Sequence, residues 1–307
     1  MTATAHLPDA APQNWVDRFA PAWARPWLKL GRFDRPAGTW LLLLPGWQGI
    51  ALACAVHRRW PDLTLIVLFA LGAAVMRAAG CAYNDIVDRD IDARVARTAQ
   101  RPIPSGQISV GQAWGFIAGC CLLGLLILLT MNPVAIGLGV LSLGLVAAYP
   151  FMKRITWWPQ AWLGLTFNWG ALLGFAAVSG GLGWPALLLY ASGLFWTLGY
   201  DTIYAVQDLE DDALAGVKSS ARRLGPAAAR GVMVFYLLCL ALAAASGWSA
   251  RLGPGFWLML LAYAAHLVRQ PMRLRLDDPA RALQLFRSNR DAGLILFAAF
   301  IAGAWWR

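Results

Sequence analysis

Nine stretches of mostly apolar residues, at roughly 38–56, 63–83, 112–130, 133–150, 161–179, 184–203, 229–250, 254–270 and 291–306, constrain this chain more than any other feature. Each is close to the ~20 residues that a helix needs to cross the hydrocarbon of a bilayer. In lipid the backbone must satisfy its own hydrogen bonds, so segments of this length and composition span as helices. The expectation is an all-α membrane protein with about nine transmembrane helices, residues 38–307 forming the membrane domain and 1–37 a polar N-terminal segment. A soluble class is excluded by 59% hydrophobic against 14% charged residues. Met131-Asn132-Pro133 reads as a tight turn, with Pro133 suited to the first turn of the following helix.

The net charge of +10 would suit nucleic acid if it were gathered on one patch. It is instead distributed by topology. Lys and Arg crowd the N-terminal segment and the loops after the even-numbered helices, while the other side has only Arg58, Arg59, Arg251 and Arg307. The positive-inside rule therefore places the N-terminus and the even loops in the cytoplasm, and no nucleic-acid partner is expected. Cys54, Cys81, Cys120, Cys121 and Cys239 show no metal-ligand spacing and read as buried small hydrophobes.

The acids are not scattered. Nine of the 16 fall in two short windows, CAYNDIVDRDID (81–92) and YDTIYAVQDLEDD (200–212), each following an even-numbered run. On a continuing helix Asp85, Asp88 and Asp92 share one face, and so do Asp201, Tyr204, Asp208 and Asp212, with Asp211 beside them. Like charges at this spacing destabilise a helix unless a cation joins them. Solvated helix ends are the plain alternative, but in both windows bases follow the acids: Arg94, Arg97 and Arg101 after the first, Lys218, Arg222 and Arg223 after the second. Acid followed by base, twice, points to a metal-bridged polyanion. An all-carboxylate set favours Mg²⁺ or Mn²⁺, which share their remaining ligands with phosphate and water. A calcium EF-hand is excluded, since DIVDRDID lacks the Gly at the sixth loop position and the Glu at the twelfth.

NDIVDRDID fits the pattern N-D-x-x-D-x-x-x-D, and DLEDD fits D-x-x-x-D. On these motifs the chain resembles the UbiA superfamily of intramembrane aromatic prenyltransferases. The strings MRAAGCAYNDIVDRDID, RTAQRPIPSG, YPFMKR and YDTIYAVQDLEDDALAGVKSSA are similar to its 4-hydroxybenzoate polyprenyltransferase branch, which serves ubiquinone biosynthesis. The resemblance implies a nine-helix bundle around a lipid-accessible cavity, with two Mg²⁺-diphosphate motifs at the cytoplasmic face. Carried over by motif, Asn84, Asp85, Asp88 and Asp92 make the first site and Asp208 and Asp212 the second, with Asp201, Asp211 and Lys218 in support. The implied partners are polyprenyl diphosphate, 4-hydroxybenzoate and the bilayer.

The expected reaction ionises the allylic C–O bond with diphosphate as leaving group, and the phenol ring then attacks through the carbon ortho to its hydroxyl. An acceptor carboxylate needs a cation away from the diphosphate. Arg154 in YPFMKR, ranked first on the resemblance, and Arg77, seven residues before Asn84 within an apolar run, are the candidates. Tyr149 and Tyr204 are candidates to line the cavity, or belong to the interfacial aromatic belt. A transporter is the rival from another class, and a different aromatic acceptor the rival within the superfamily. With no convincing transit peptide, the expected location is a bacterial inner membrane, with the active site at the cytoplasmic face.

Overall fold

The computed structural model describes residues 14–94, 98–209 and 216–305, and among these every regular element is a helix. In chain order they are α1 (Trp15–Phe19), α2 (Arg25–Leu30), α3 (Ala37–Val56), α4 (Leu63–Asp92), α5 (Val110–Leu128), α6 (Pro133–Ile155), α7 (Pro159–Phe167), α8 (Trp169–Ser179) and α9 (Trp184–Ala205). After a short 3₁₀ turn, Val206–Asp208, come α10 (Ser220–Leu224), α11 (Ala228–Ser249), α12 (Pro254–Arg273), α13 (Pro279–Arg287) and α14 (Asn289–Trp305).

Among the described residues six stretches are long and apolar enough to cross a membrane: Ala37–Val56, Leu63–Asp92, Val110–Leu128, Pro133–Ile155, Pro159–Ser179 and Ser220–Ser249. The other three expected runs fold as α9, α12 and α14, but they are diluted by Gly, Ser, Thr, Arg, His and Gln, and α14 has only 17 residues. Length and composition thus support six of the nine expected crossings. The turn at Met131–Pro133 forms as its sequence predicts: the Asn132 side chain accepts from the Ala135 amide at 3.1 Å and Pro133 opens α6. The run 161–179 is broken in two at Asn168, whose buried amide donates to the Gly164 carbonyl at 2.8 Å and to Thr197 Oγ1 at 2.7 Å.

The helices group into two compact units. The first comprises the described residues up to Thr39 and those within 71–127. Its core joins Leu30 of α2, Ala82 and Ile86 of α4, Ile103 and Ile108 of the loop, and Ala113 of α5. The outer face of α5 is apolar and exposed, with Leu122, Leu123, Leu125 and Leu126. Such a face is an aggregation hazard in water and an ordinary surface in lipid. Cys121 is also exposed there, and of the five cysteines expected to be buried only Cys54 and Cys239 are.

The second unit holds Trp40–Ala70 and the described residues from Leu128 onward. Here α9 packs along α11 and α12 along α14. The helices approach closely where side chains are absent: a Cβ on Gly49 would strike the Ala171 carbonyl, one on Gly174 the Gly46 carbonyl, and one on Gly199 the Tyr236 ring. Small residues that let backbones meet are the usual means of helix association in lipid, where the hydrophobic effect gives no drive.

Candidate active site

The first motif lies in the first unit. Because α4 runs unbroken from Leu63 to Asp92, the 3–4 spacing of its acids becomes a single stripe. Asp85, Asp88 and Asp92 on that stripe are 0%, 1% and 6% exposed, whereas the Asp90 side chain is 80% exposed beside Arg89. Three buried carboxylates on one helix require cations. Arg32 Nη2 donates to Asp85 Oδ1 at 2.6 Å. Arg101 Nη1 reaches the same oxygen at 3.2 Å and Asp92 Oδ2 at 2.7 Å, so one guanidinium bridges two motif acids. Thr98 Oγ1 donates to the Asp92 carbonyl at 2.8 Å, tying the following loop to the end of α4. Burial by itself would lower the Arg32 pKa, but the Asp85 carboxylate outweighs it, and the pKa is raised.

Arg32 was not legible as a site residue. In the sequence it is one more basic residue ahead of the first membrane helix, and what directs it inward is a left-handed backbone, φ 59°, just after the end of α2. Arg101 stood out only as one of the bases that follow the acids. Arg97 lies outside the described residues. Arg77 is half-buried on α4 and rests against the start of α3, where a Cβ on Gly38 would collide with its guanidinium. Asn84 is half-buried beside Asp85.

The second motif lies in the second unit. Asp201 and Tyr204 are half-buried near the end of α9, three residues apart as expected. Of the face expected over 201, 204, 208 and 212, the described part is not one continuous α-helix: α9 ends at Ala205 and Asp208 sits at the end of a 3₁₀ turn. The tighter winding of that turn shifts Asp208 out of the α-helical register. Asp211 and Asp212 lie outside the described residues.

Lys218 docks on the C-terminal end of α6. Its backbone N–H donates to the Lys153 carbonyl at 3.3 Å and its Nζ to the Ile155 carbonyl at 3.2 Å. A cation there satisfies the free carbonyls and the negative end of the helix dipole. The same end carries Arg154, which is exposed and lies over the Phe151 ring at 6.0 Å. Tyr149 is half-buried one turn earlier.

The donors fit a hard cation. Among the described residues no three His, Cys, Asp or Glu side chains converge as a ready-made metal group. Asp85 Oδ2, however, is buried and accepts no hydrogen bond from the described residues, which leaves a carboxylate oxygen for a further ligand. Mg²⁺ keeps only one or two carboxylates and takes its other oxygens from phosphate and water, so a sparse carboxylate set next to arginines suits it.

Residues 42–305 match the model of the UbiA prenyltransferase family. The chain belongs to this family. It is 47% identical over 280 residues to the mitochondrial 4-hydroxybenzoate polyprenyltransferase of Aedes aegypti, covering 91% of this chain and 63% of that relative's length. It is 45% identical over 289 residues to the mitochondrial 4-hydroxybenzoate polyprenyltransferase of Homo sapiens, covering 94% of this chain and 78% of the relative. Among solved structures it resembles the apo UbiA homolog from Aeropyrum pernix K1, with a TM-score of 0.74 and 27% identity over 87% of this chain and 98% of that one. A UbiA homolog from Archaeoglobus fulgidus, bound to GPP and Mg²⁺, shares the fold with a TM-score of 0.60 at 18% identity over 89% of this chain and 99% of that one.

UbiA membership makes the chain a prenyltransferase, most like the 4-hydroxybenzoate polyprenyltransferases, and removes the transporter alternative. One expectation is corrected. The expected bacterial inner membrane does not stand, because these relatives are named as mitochondrial enzymes. A polar N-terminus is a poor guide to compartment, since targeting signals are read by receptors rather than by the fold. The multi-pass membrane character is retained.

Proposed function

We propose that the chain transfers a polyprenyl group from polyprenyl diphosphate to the ring carbon ortho to the hydroxyl of 4-hydroxybenzoate, as a step of ubiquinone biosynthesis. The observation that carries this reading is the buried stripe Asp85, Asp88 and Asp92, held with Arg32 and Arg101 on a membrane helix. Burying that many ionised groups is costly and is kept where their charge is used. The family and the names of the relatives supply the chemistry that uses it.

Two or more Mg²⁺ ions are proposed, with Asn84, Asp85, Asp88 and Asp92 as the metal-holding residues of the first motif and Asp208, Asp211 and Asp212 as those of the second, and Asp201 in support. Bound Mg²⁺ would supply Lewis-acid neutralisation of the diphosphate. Fixed positive charge, from Arg101 in the first unit or Lys218 in the second, favours a departing diphosphate, so the allylic C–O bond breaks with its electron pair leaving on oxygen. The ring carbon ortho to the phenol then bonds to the allyl cation, and loss of its proton restores aromaticity. Apolar walls keep out water, which would otherwise capture the cation. Tyr204 and Tyr149 present ring faces of the kind that stabilise such a charge. For the acceptor carboxylate, burial favours Arg77, half-buried within α4, over the exposed Arg154 that the resemblance ranked first. Nine membrane crossings remain part of the proposal.

The test is product formation in purified membranes given 4-hydroxybenzoate, a polyprenyl diphosphate and Mg²⁺, read by mass spectrometry. The expected product is 3-polyprenyl-4-hydroxybenzoate, absent with EDTA and with Asp88→Ala or Asp208→Ala. Prenyl transfer to another aromatic acid but not to 4-hydroxybenzoate would overturn the assigned substrate.

A further inference from the structure

The C-terminal helices carry a buried polar cluster that the reaction described above does not use. Asn289, the first residue of α14, is fully buried. Its Oδ1 accepts from Trp196 Nε1 of α9 at 2.9 Å, from Gln270 Nε2 of α12 at 3.3 Å and from the Tyr236 hydroxyl of α11 at 3.4 Å. Its Nδ2 donates to Gln270 Oε1 at 2.9 Å and to the Leu285 carbonyl of α13 at 3.1 Å. The side-chain amide is thereby saturated, and the junction between α13 and α14 is fixed to three other helices. A fully satisfied buried network selects a single arrangement where apolar packing would tolerate several.

What that arrangement holds is α13, a nine-residue helix that packs on both α9 and the Val206–Asp208 turn. Phe286 on α13 lies with its ring centroid 4.6 Å from Tyr204 and 5.9 Å from Tyr200. Tyr204 is one turn before Asp208. A three-residue 3₁₀ turn has poor internal hydrogen-bond geometry, so its orientation depends on what packs against it.

We propose that α13 is the positioning element of the second aspartate motif: Asn289 pins it, and Phe286, through Tyr204, sets the orientation of the turn that presents Asp208. Neither Asn289 nor Phe286 touches the substrate in this scheme. The inference rests on Asp208 being a metal-diphosphate ligand, as proposed above.

The experiment is calorimetric titration of the full-length protein in detergent with a non-reactive thiolodiphosphate analogue of farnesyl diphosphate plus Mg²⁺, alongside thermal melting. Phe286→Ala should weaken binding about tenfold, the usual scale for loss of support to a metal ligand, with little change in melting temperature. Phe286→Tyr, which keeps the ring, should restore it. Asn289→Asp should weaken binding similarly and also lower the melting temperature. If Asp208→Ala loses binding while Phe286→Ala keeps it, the positioning role is refuted and the reading of Asp208 stands. If Asp208→Ala binds like the unsubstituted protein, both fall.

Discussion

Replacing Asp85 with Ala should destabilise the protein strongly, by an amount that follows from its two partners. The carboxylate accepts from Arg32 at 2.6 Å and from Arg101 at 3.2 Å, and it is completely buried. Charge-assisted hydrogen bonds contribute about 1.5–3 kcal/mol each, giving about 3–6 kcal/mol if both were lost outright. Arg101 keeps Asp92 at 2.7 Å, so the main penalty falls on Arg32, only 6% exposed and deprived of this partner. Breaking one side of a buried pair costs about 3–5 kcal/mol, and that is the expected loss. At about 2–4 °C per kcal/mol, the melting temperature should fall by roughly 6–20 °C. The assay is thermal unfolding in detergent followed by tryptophan fluorescence, with EDTA present so that metal binding does not contribute. Exchanging both partners, Arg32→Met with Asp85→Leu, should recover much of the loss, because the paired desolvation cost disappears together with the pair. A loss below about 1 kcal/mol for Asp85→Ala, the scale of an exposed ion pair, would refute the account of a buried electrostatic centre.

Gly49→Ala and Gly174→Ala should each cost about 1–3 kcal/mol and reduce the yield of folded protein, since the added methyl meets a backbone carbonyl that cannot turn aside. Arg77→Ala should raise the KM for 4-hydroxybenzoate more than that for the polyprenyl diphosphate, and Arg154→Ala should do so less; the opposite order in steady-state kinetics would return the carboxylate to Arg154. Asp17 pairs with Lys29 at 2.7 Å; burial alone would raise its pKa, but the hydrogen bonds from Lys29 and Asn14 prevail, and it is lowered from the ordinary 3.8. Its stabilising contribution is therefore complete above 3.8 and lost as the pH falls through the depressed value, so the melting-temperature gap to Asp17→Asn should close only on that acid side.

The sequence by itself determined the helical membrane character, because long apolar runs have only one economical way to satisfy a backbone in lipid. It also determined the register of the first motif: the 3–4 spacing of Asp85, Asp88 and Asp92 can make one buried stripe only if α4 continues past the apolar run, and it does. The second motif was less legible, since no residue preference announces the switch from α-helix to 3₁₀ turn at Val206, which depends on what packs around it. Nor did the sequence mark Arg32 as the partner of Asp85, 53 residues away and reached through a left-handed backbone. Asn289 likewise gave no sign that it joins α9, α11 and α12. Periodicity is a local property and survives folding unchanged. Which cation meets a buried carboxylate depends on residues brought together across the chain, and only the tertiary structure decides that.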